Sequence, residues 1–346
     1  MARRKPTRSR KRGLGAAAFS LILLAVLLSI AGGAAWLLLT PFGPESETFV
    51  EIAPGSSMVR IGRELARAGI IRSQLAFDLA RLWKQGTLKA GTYRFDHPAP
   101  PAEVYERIRR GDVYTVAVTV PEGSTIFDIA DRLQQAGFGA RQAFLDVAMQ
   151  QSSLIADLDP AAKSLEGYLF PDTYRFAPRT ALPEIAAAMV KRFRVVAATL
   201  GLSADVHRTV TLASLVERET AIDDERPIVA SVFDNRLEKN MPLMTDPAVI
   251  YGLQLQNAWR GTLYQSDLKR DTPYNTYLHA GLPPGPVANP GIKALRAALA
   301  PAQTNFLYFV AAGDNPQGKS LFAATIDEHN RNVAGYRNAI KKAGIR

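Results

Sequence analysis

The chain has 346 residues, 47% hydrophobic and 21% charged, a globular composition with room for two cores and little place for disorder. It has no cysteine, which excludes disulfides, thiolate metal sites and a cysteine nucleophile. The net charge of +10 is concentrated in Arg3, Arg4, Lys5, Arg8, Arg10, Lys11 and Arg12. Subtracting these seven leaves +3 for everything else, which removes the main support for nucleic-acid binding.

After this basic tail (residues 1–13), Leu14 to Leu39 runs 26 residues without a charge, enough for a helix across a bilayer core of roughly 30 Å. A basic block before an apolar span predicts a cytoplasmic amino terminus and an exported remainder, that is, a single-pass inner-membrane protein with its bulk in the periplasm. Ala31-Gly-Gly-Ala-Ala35 could pass as a signal-peptidase site. However, the apolar run exceeds the ordinary 7–15-residue signal core and continues through Trp36-Leu-Leu-Leu39, which favours a retained anchor.

Pro41 to Ser46 reads as a linker, and an internal repeat follows it. Val50, Gly55, Ser56, Ile61, Leu65, Ala68 and Gly69 all recur at an offset of 68 as Val118, Gly123, Ser124, Ile129, Leu133, Ala136 and Gly137. Each copy reads as a strand, a Gly-Ser turn whose hydroxyl caps a helix, an amphipathic helix and a Gly stop. Strand–turn–helix units of this size resemble the LysM fold, which binds N-acetylglucosamine chains, and the first domain is placed at 46–115. Within it, Lys89 to Phe95 reads as a strand and Ala102 to Arg110 as a helix ending at Gly111.

Residues 116–346 form the larger domain, giving an α+β chain overall. Helices are expected over Leu182 to Leu200, Asp205 to Thr220 and Glu225 to Lys239. From Met241 onward Pro and Gly become dense and the composition is that of loops. Asn305 to Ala311 is expected as a strand buried on both faces, and Asp327 to Ala343 as a polar helix.

The four histidines, His97, His207, His279 and His329, lack metal-binding spacing, and neither a phosphate loop nor a GxSxG elbow is present, so no metal or cofactor is expected. Carboxylates become the natural suspects. Glu217 and Glu219 both flank an apolar arc of the Asp205–Thr220 helix, and periodicity does not choose between them. Position favours Glu219, in the last turn, where apolar neighbours and the negative end of the helix dipole both disfavour its charged form. The plainer alternative is a salt-bridged pair of acids, with Arg218, Arg226 or Arg236 as partner.

Leu212-Ala-Ser-Leu-Val-Glu-Arg-Glu-Thr220, Thr245-Asp-Pro-Ala-Val-Ile-Tyr-Gly252, Tyr274-Asn-Thr-Tyr277, Gly281-Leu-Pro-Pro-Gly285, Glu166-Gly-Tyr-Leu-Phe-Pro-Asp-Thr-Tyr174 and Leu307-Tyr-Phe-Val310 together resemble the endolytic murein transglycosylase family. The likeness runs from the membrane segment to the last helix. It implies that Glu219, the second Glu of the Glu-basic-Glu-Thr stretch, is the catalytic acid–base. It also implies cleavage between N-acetylmuramic acid and N-acetylglucosamine within nascent peptidoglycan strands, with 1,6-anhydro ends that limit chain growth. Asn275, Tyr277 and Tyr251 are expected sugar contacts, with Asp246 and Glu166 orienting the glycan or stabilising positive charge. The partners implied are peptidoglycan strands, the inner membrane and the peptidoglycan synthases (penicillin-binding proteins). Two other readings stay open: a muramidase using Asp246 as second carboxylate, and a non-catalytic peptidoglycan-binding scaffold.

Overall fold

The structure, a computed structural model, describes residues 11–312 and 318–343. Arg3, Arg4, Lys5, Arg8 and Arg10 of the basic tail lie outside the described residues. The chain divides into two compact units, Met1–Thr115 and Val116–Arg346.

In the first unit, α1 (Lys11–Leu39) contains the 23-residue apolar stretch Ala17–Leu39, none of it buried. At about 1.5 Å per residue it is roughly 34 Å long, enough by length and composition to cross a bilayer. Next come β1 (Thr48–Ile52), α2 (Met58–Arg67), α3 (Gln74–Lys84), β2 (Gly91–Phe95) and α4 (Pro101–Arg110). β1 pairs antiparallel with β2, Val50 opposite Tyr93. Alternation along β1 turns Val50 and Ile52 inward onto Ile61 and Leu65 of α2, Phe77 of α3 and Tyr105 of α4.

The second unit opens with the same order of elements: β3 (Val116–Thr119), α5 (Ile126–Gln135), α6 (Arg141–Gln150) and β4 (Thr173–Phe176). β3 and β4 again pair antiparallel. The repeated glycines have a shared backbone reason. Gly55 and Gly123 both take φ of 75°, turning the strand toward the helix, and Gly69 and Gly137 (φ 71° and 82°) stop it. The cap falls one residue later than the Gly-Ser reading placed it. Ser57 accepts from the Arg60 amide, and Thr125 forms a reciprocal capping box with Asp128.

The remainder packs around α7 (Leu182–Leu200), α8 (Val206–Glu219), α9 (Arg226–Glu238), α10 (Asp246–Leu255) and α11 (Ile292–Leu299). A hairpin of β5 (Tyr308–Ala311) and β6 (Ser320–Ala323) follows, and then α12 (Ile326–Ala343). Buried Leu212, Leu215 and Val216 of α8 share one core with Val229 and Phe233 of α9 and Leu295 of α11. Two sequence expectations are corrected here. The region after Met241 is not loop throughout, because α10 and α11 lie within it. Pro247 stands in the first turn of α10, where its missing N–H costs nothing. The late strand starts at Tyr308 and is only half-buried, since one side faces a cavity instead of the core.

Candidate active site

α8 ends at Glu219, and the two acids of Glu217-Arg218-Glu219 part company there. Glu217 turns inward. Its carboxylate takes Arg226 Nη1 at 2.8 Å and the amide of Gly291 at 2.9 Å, tying α8 to the first turns of α9 and α11. Both members of this ion pair are 5% exposed. The salt-bridged alternative therefore holds for Glu217.

Glu219 is different. Among the described residues its carboxyl makes no hydrogen bond and no ion pair. It is half-buried and opens into a cavity of about 200 Å³ walled by Thr220, Ala221 and Ile222 on one side and Phe309, Val310, Ala311, Gly318 and Ser320 on the other. Burial, and next the negative charge of Asp246, push this carboxyl up to about 7, against weaker opposing effects of Arg236 and Arg218. A carboxyl that holds its proton near neutrality can donate it and take one back.

The cavity walls are fixed by a second acid. Glu225, 6% exposed, accepts from the Ser320 amide at 2.6 Å, the Ser320 hydroxyl at 2.9 Å and the Thr220 hydroxyl at 3.4 Å. It thereby pins the loop after Glu219 to β6. From α9, Arg236 donates Nε to the Leu307 carbonyl at 2.7 Å and Nη1 to the Leu243 carbonyl at 2.9 Å, with its guanidinium 5.4 Å from the Tyr308 ring. This one cation joins the start of the hairpin to the segment before α10.

Asp246 owes its position to a pairing of two loops. Met244 donates to the Thr276 carbonyl at 3.0 Å while held at φ of 53°, and the Thr245 amide donates to the Thr276 hydroxyl at 2.9 Å. Tyr277 then reaches across to donate its hydroxyl to Asp246 at 2.7 Å. Burial, with Asp246 beside it, raises the Tyr277 phenol well above its ordinary value. Asp246 and Tyr277 do not line the cavity, and Asp246 acts on Glu219 through its charge.

Asn275 and Tyr251, expected as sugar contacts, and Glu166, expected to orient the glycan, lie inside the protein. Asn275 is fully buried. Its amide donates to the carbonyls of Leu268 (3.0 Å) and Arg270 (2.8 Å) and accepts from the Tyr277 amide (3.0 Å), so it has no group left for a glycan and serves to present Tyr277. Glu166, 1% exposed, accepts from the Ile126 amide (2.9 Å) and Asn289 Nδ2 (2.8 Å), with Tyr251 lying against it. Burial pushes Glu166 up to about 8, against the hydrogen bond from the Ile126 amide, and the side chain serves as an internal tie. Tyr251, 2% exposed, packs on Phe127 and Tyr274 at 6.0 and 5.0 Å between ring centres. Asn289 also donates to the Ser124 carbonyl (2.9 Å) and accepts from the Leu169 amide (2.9 Å).

Sequence reasoning named Arg236 only as an ion-pair partner and did not place Glu225, Phe309 or Ser320 in the site. Arg236 carried a signal, because it lies on the α9 face of Val229, Val232 and Phe233, where a lone cation needs acceptors. Glu225 carried none.

A model of the YceG-like family matches residues 50–335. The chain is 34% identical over 317 residues to the endolytic murein transglycosylase of Bacillus subtilis, covering 85% of this chain and 86% of that one. It is 31% identical over 359 residues to the endolytic murein transglycosylase of Streptococcus pneumoniae strain R6, covering 92% of this chain and 65% of that longer one. The crystal structure of a yceG-like protein from Listeria monocytogenes is 32% identical with a TM-score of 0.54, covering 83% of this chain and 99% of that chain.

Proposed function

The chain belongs to the YceG-like family and is an enzyme of the endolytic murein transglycosylase type, and we propose that Glu219 alone supplies its acid–base chemistry. The observation carrying this is the Glu219 carboxyl itself: unpartnered among the described residues, facing a cavity, and held protonated up to about 7. In the first step it gives its proton to the oxygen joining N-acetylmuramic acid to the next N-acetylglucosamine, and the C1–O bond breaks. The resulting carboxylate takes the proton of the muramic acid C6 hydroxyl, whose oxygen bonds to C1. No water is consumed, and the enzyme ends as it began. Because the nucleophile is part of the substrate, a second enzymic carboxylate is unnecessary, unlike the paired arrangement of glycosidases.

In this reading Asp246 is an electrostatic partner of Glu219, and its charge also suits the positive charge that develops at C1. Tyr277 holds Asp246 in place. The strand–helix–helix–strand unit between β1 and β2 supports a LysM-like role in gripping glycan. The apolar stretch Ala17–Leu39, with basic residues before it, supports a retained inner-membrane anchor and a periplasmic enzyme. A cutter so tethered would act on nascent strands beside the synthases, limiting their length.

The test is digestion of purified glycan strands by the wild type and by Glu219→Gln, read by mass spectrometry. Internal 1,6-anhydro ends from the wild type and none from the variant are expected. Reducing ends would favour the muramidase, and intact strands with both proteins would favour the scaffold.

A further inference from the structure

The cavity at Glu219, about 200 Å³, is smaller than the roughly 300–1,000 Å³ usual for ligand pockets, so most of a polymeric substrate must lie outside it. A second cavity of about 370 Å³ lies at the carboxyl end of α10, whose first residue Asp246 acts on Glu219 through its charge; it is lined by Phe127, Asp128, Asp131, Arg141, Gln254, Asn257 and Trp259. Asp246 begins α10 and Gln254 is its next-to-last residue. Eight steps of about 1.5 Å separate them by roughly 12 Å along the axis.

Asp128 of this cavity is held by Thr125 in the capping box of α5, but three other polar groups are uncommitted. Among the described residues, the side-chain amides of Gln254 and Asn257 and the indole N–H of Trp259 have no partner within the protein. The backbone has turned to bring them there: Asn257 takes φ of 53°, and the Ala258 amide closes onto the Leu253 carbonyl at 2.8 Å. Opposite them, Arg141 meets Asp131 at 2.7 Å with side chains 38% and 49% exposed. Such a pair contributes little to stability and can exchange its bond for a ligand's. Phe127 forms the floor, 5.6 Å below the Arg141 guanidinium. Two carboxylates against one guanidinium disfavour an anion. A half-buried indole face beside free amides suits a neutral ring that is apolar on its faces and bears hydroxyl and acetamido groups at its edge.

We propose that this cavity is a distal subsite for an N-acetylhexosamine unit of the same glycan strand that Glu219 cleaves, with Trp259 as the stacking platform and Gln254 and Asn257 as its hydrogen-bonding edge. The proposal rests on the transglycosylase reading above. It makes the enzyme favour strands that reach past the cleaved bond along α10 over short oligosaccharides.

The chain has three tryptophans, Trp36, Trp83 and Trp259. Full-length protein in detergent carrying Trp36→Phe, Trp83→Phe and Glu219→Gln therefore reports from Trp259 alone without turnover. Titration with an N-acetylglucosamine tetramer and with peptide-free glycan strands should change its emission saturably, while isolated stem peptide leaves it unchanged. In the active protein, Trp259→Ala should raise KM for long strands about tenfold with kcat and Tm unchanged, and Trp259→Phe should restore most of the loss. Emission unmoved by either sugar, a response to stem peptide alone, or an unaltered KM in Trp259→Ala would overturn the proposal. Wild-type protein that cuts no glycan, with Trp259 still responding to sugar, would fault the transglycosylase reading and not this subsite.

Discussion

Replacing Glu217 by Ala separates the two glutamates of α8 by stability instead of activity. The change leaves Arg226 buried, its remaining acid being Asp223 at 3.3 Å, whose side chain is 49% exposed. Breaking a buried pair by removing one member costs about 3–5 kcal/mol, and the orphaned Gly291 amide adds about 1 kcal/mol or more. In a unit of this size each kcal/mol lowers Tm by about 2–4 °C. Glu217→Ala should therefore melt the Val116–Arg346 unit roughly 8–24 °C below wild type. Glu217→Gln keeps a carbonyl for Gly291 and should fall between. Calorimetry or thermal circular dichroism of the full chain, beside Glu219→Gln, measures this. A Glu217→Ala protein that melts within about 3 °C of wild type yet has lost activity as Glu219→Gln does would refute the assignment of Glu217 to structure and Glu219 to chemistry.

Glu219→Gln should be at least as stable as wild type, with its advantage growing as pH rises. The folded carboxyl titrates at about 7 and the unfolded one near 4.5, so the wild type loses stability between these values. That loss reaches at most about 3 kcal/mol, and the variant escapes it. Parallel stability–pH curves from pH 4 to 8 would contradict this. Asp246→Asn removes the anion that helps raise Glu219, so the alkaline limb of the kcat/KM profile should move to lower pH. A fixed or upward-shifted limb would dismiss the coupling. Asn275→Ala frees two carbonyls and one amide inside the protein, at about 1 kcal/mol or more each. It should lower Tm and, by releasing Tyr277, also kcat, and a variant with normal melting would show that the loop holds without it.

Much of this architecture was legible because it follows from local rules. The 68-residue offset appears as two strand–helix–helix–strand units with matching left-handed glycines. The helices ending at Leu200, Glu219 and Glu238 were readable from apolar spacing, to within a residue or so at each end. α10 was not, because a proline that favours loops is also welcome in a first helical turn, and α11 was not, because its eight residues follow directly on the turn-forming Pro290 and Gly291. Glu219 could be singled out from Glu217 only by position and resemblance. What separates them physically is long-range: Arg226 and Gly291 claim one carboxylate, while the β5–β6 hairpin leaves the other facing a cavity. Asn275 and Tyr251, expected as sugar contacts, and Glu166, expected to orient the glycan, are buried for a related reason. Residue type suggests hydrogen bonding to a glycan, but burial determines whether the partner is a ligand or the protein's own backbone. Trp259, Asn257 and Gln254 drew no attention in sequence because their convergence depends on the turn that ends α10.

The central claim is that the C6 hydroxyl of the substrate, not water, attacks C1 once Glu219 has protonated the leaving oxygen. Digestion of glycan strands in water enriched in oxygen-18, followed by mass spectrometry of the new ends, tests it directly. Ends one water lighter than reducing ends and free of the heavy isotope are predicted for the wild type and absent with Glu219→Gln. Reducing ends carrying oxygen-18 would contradict the account.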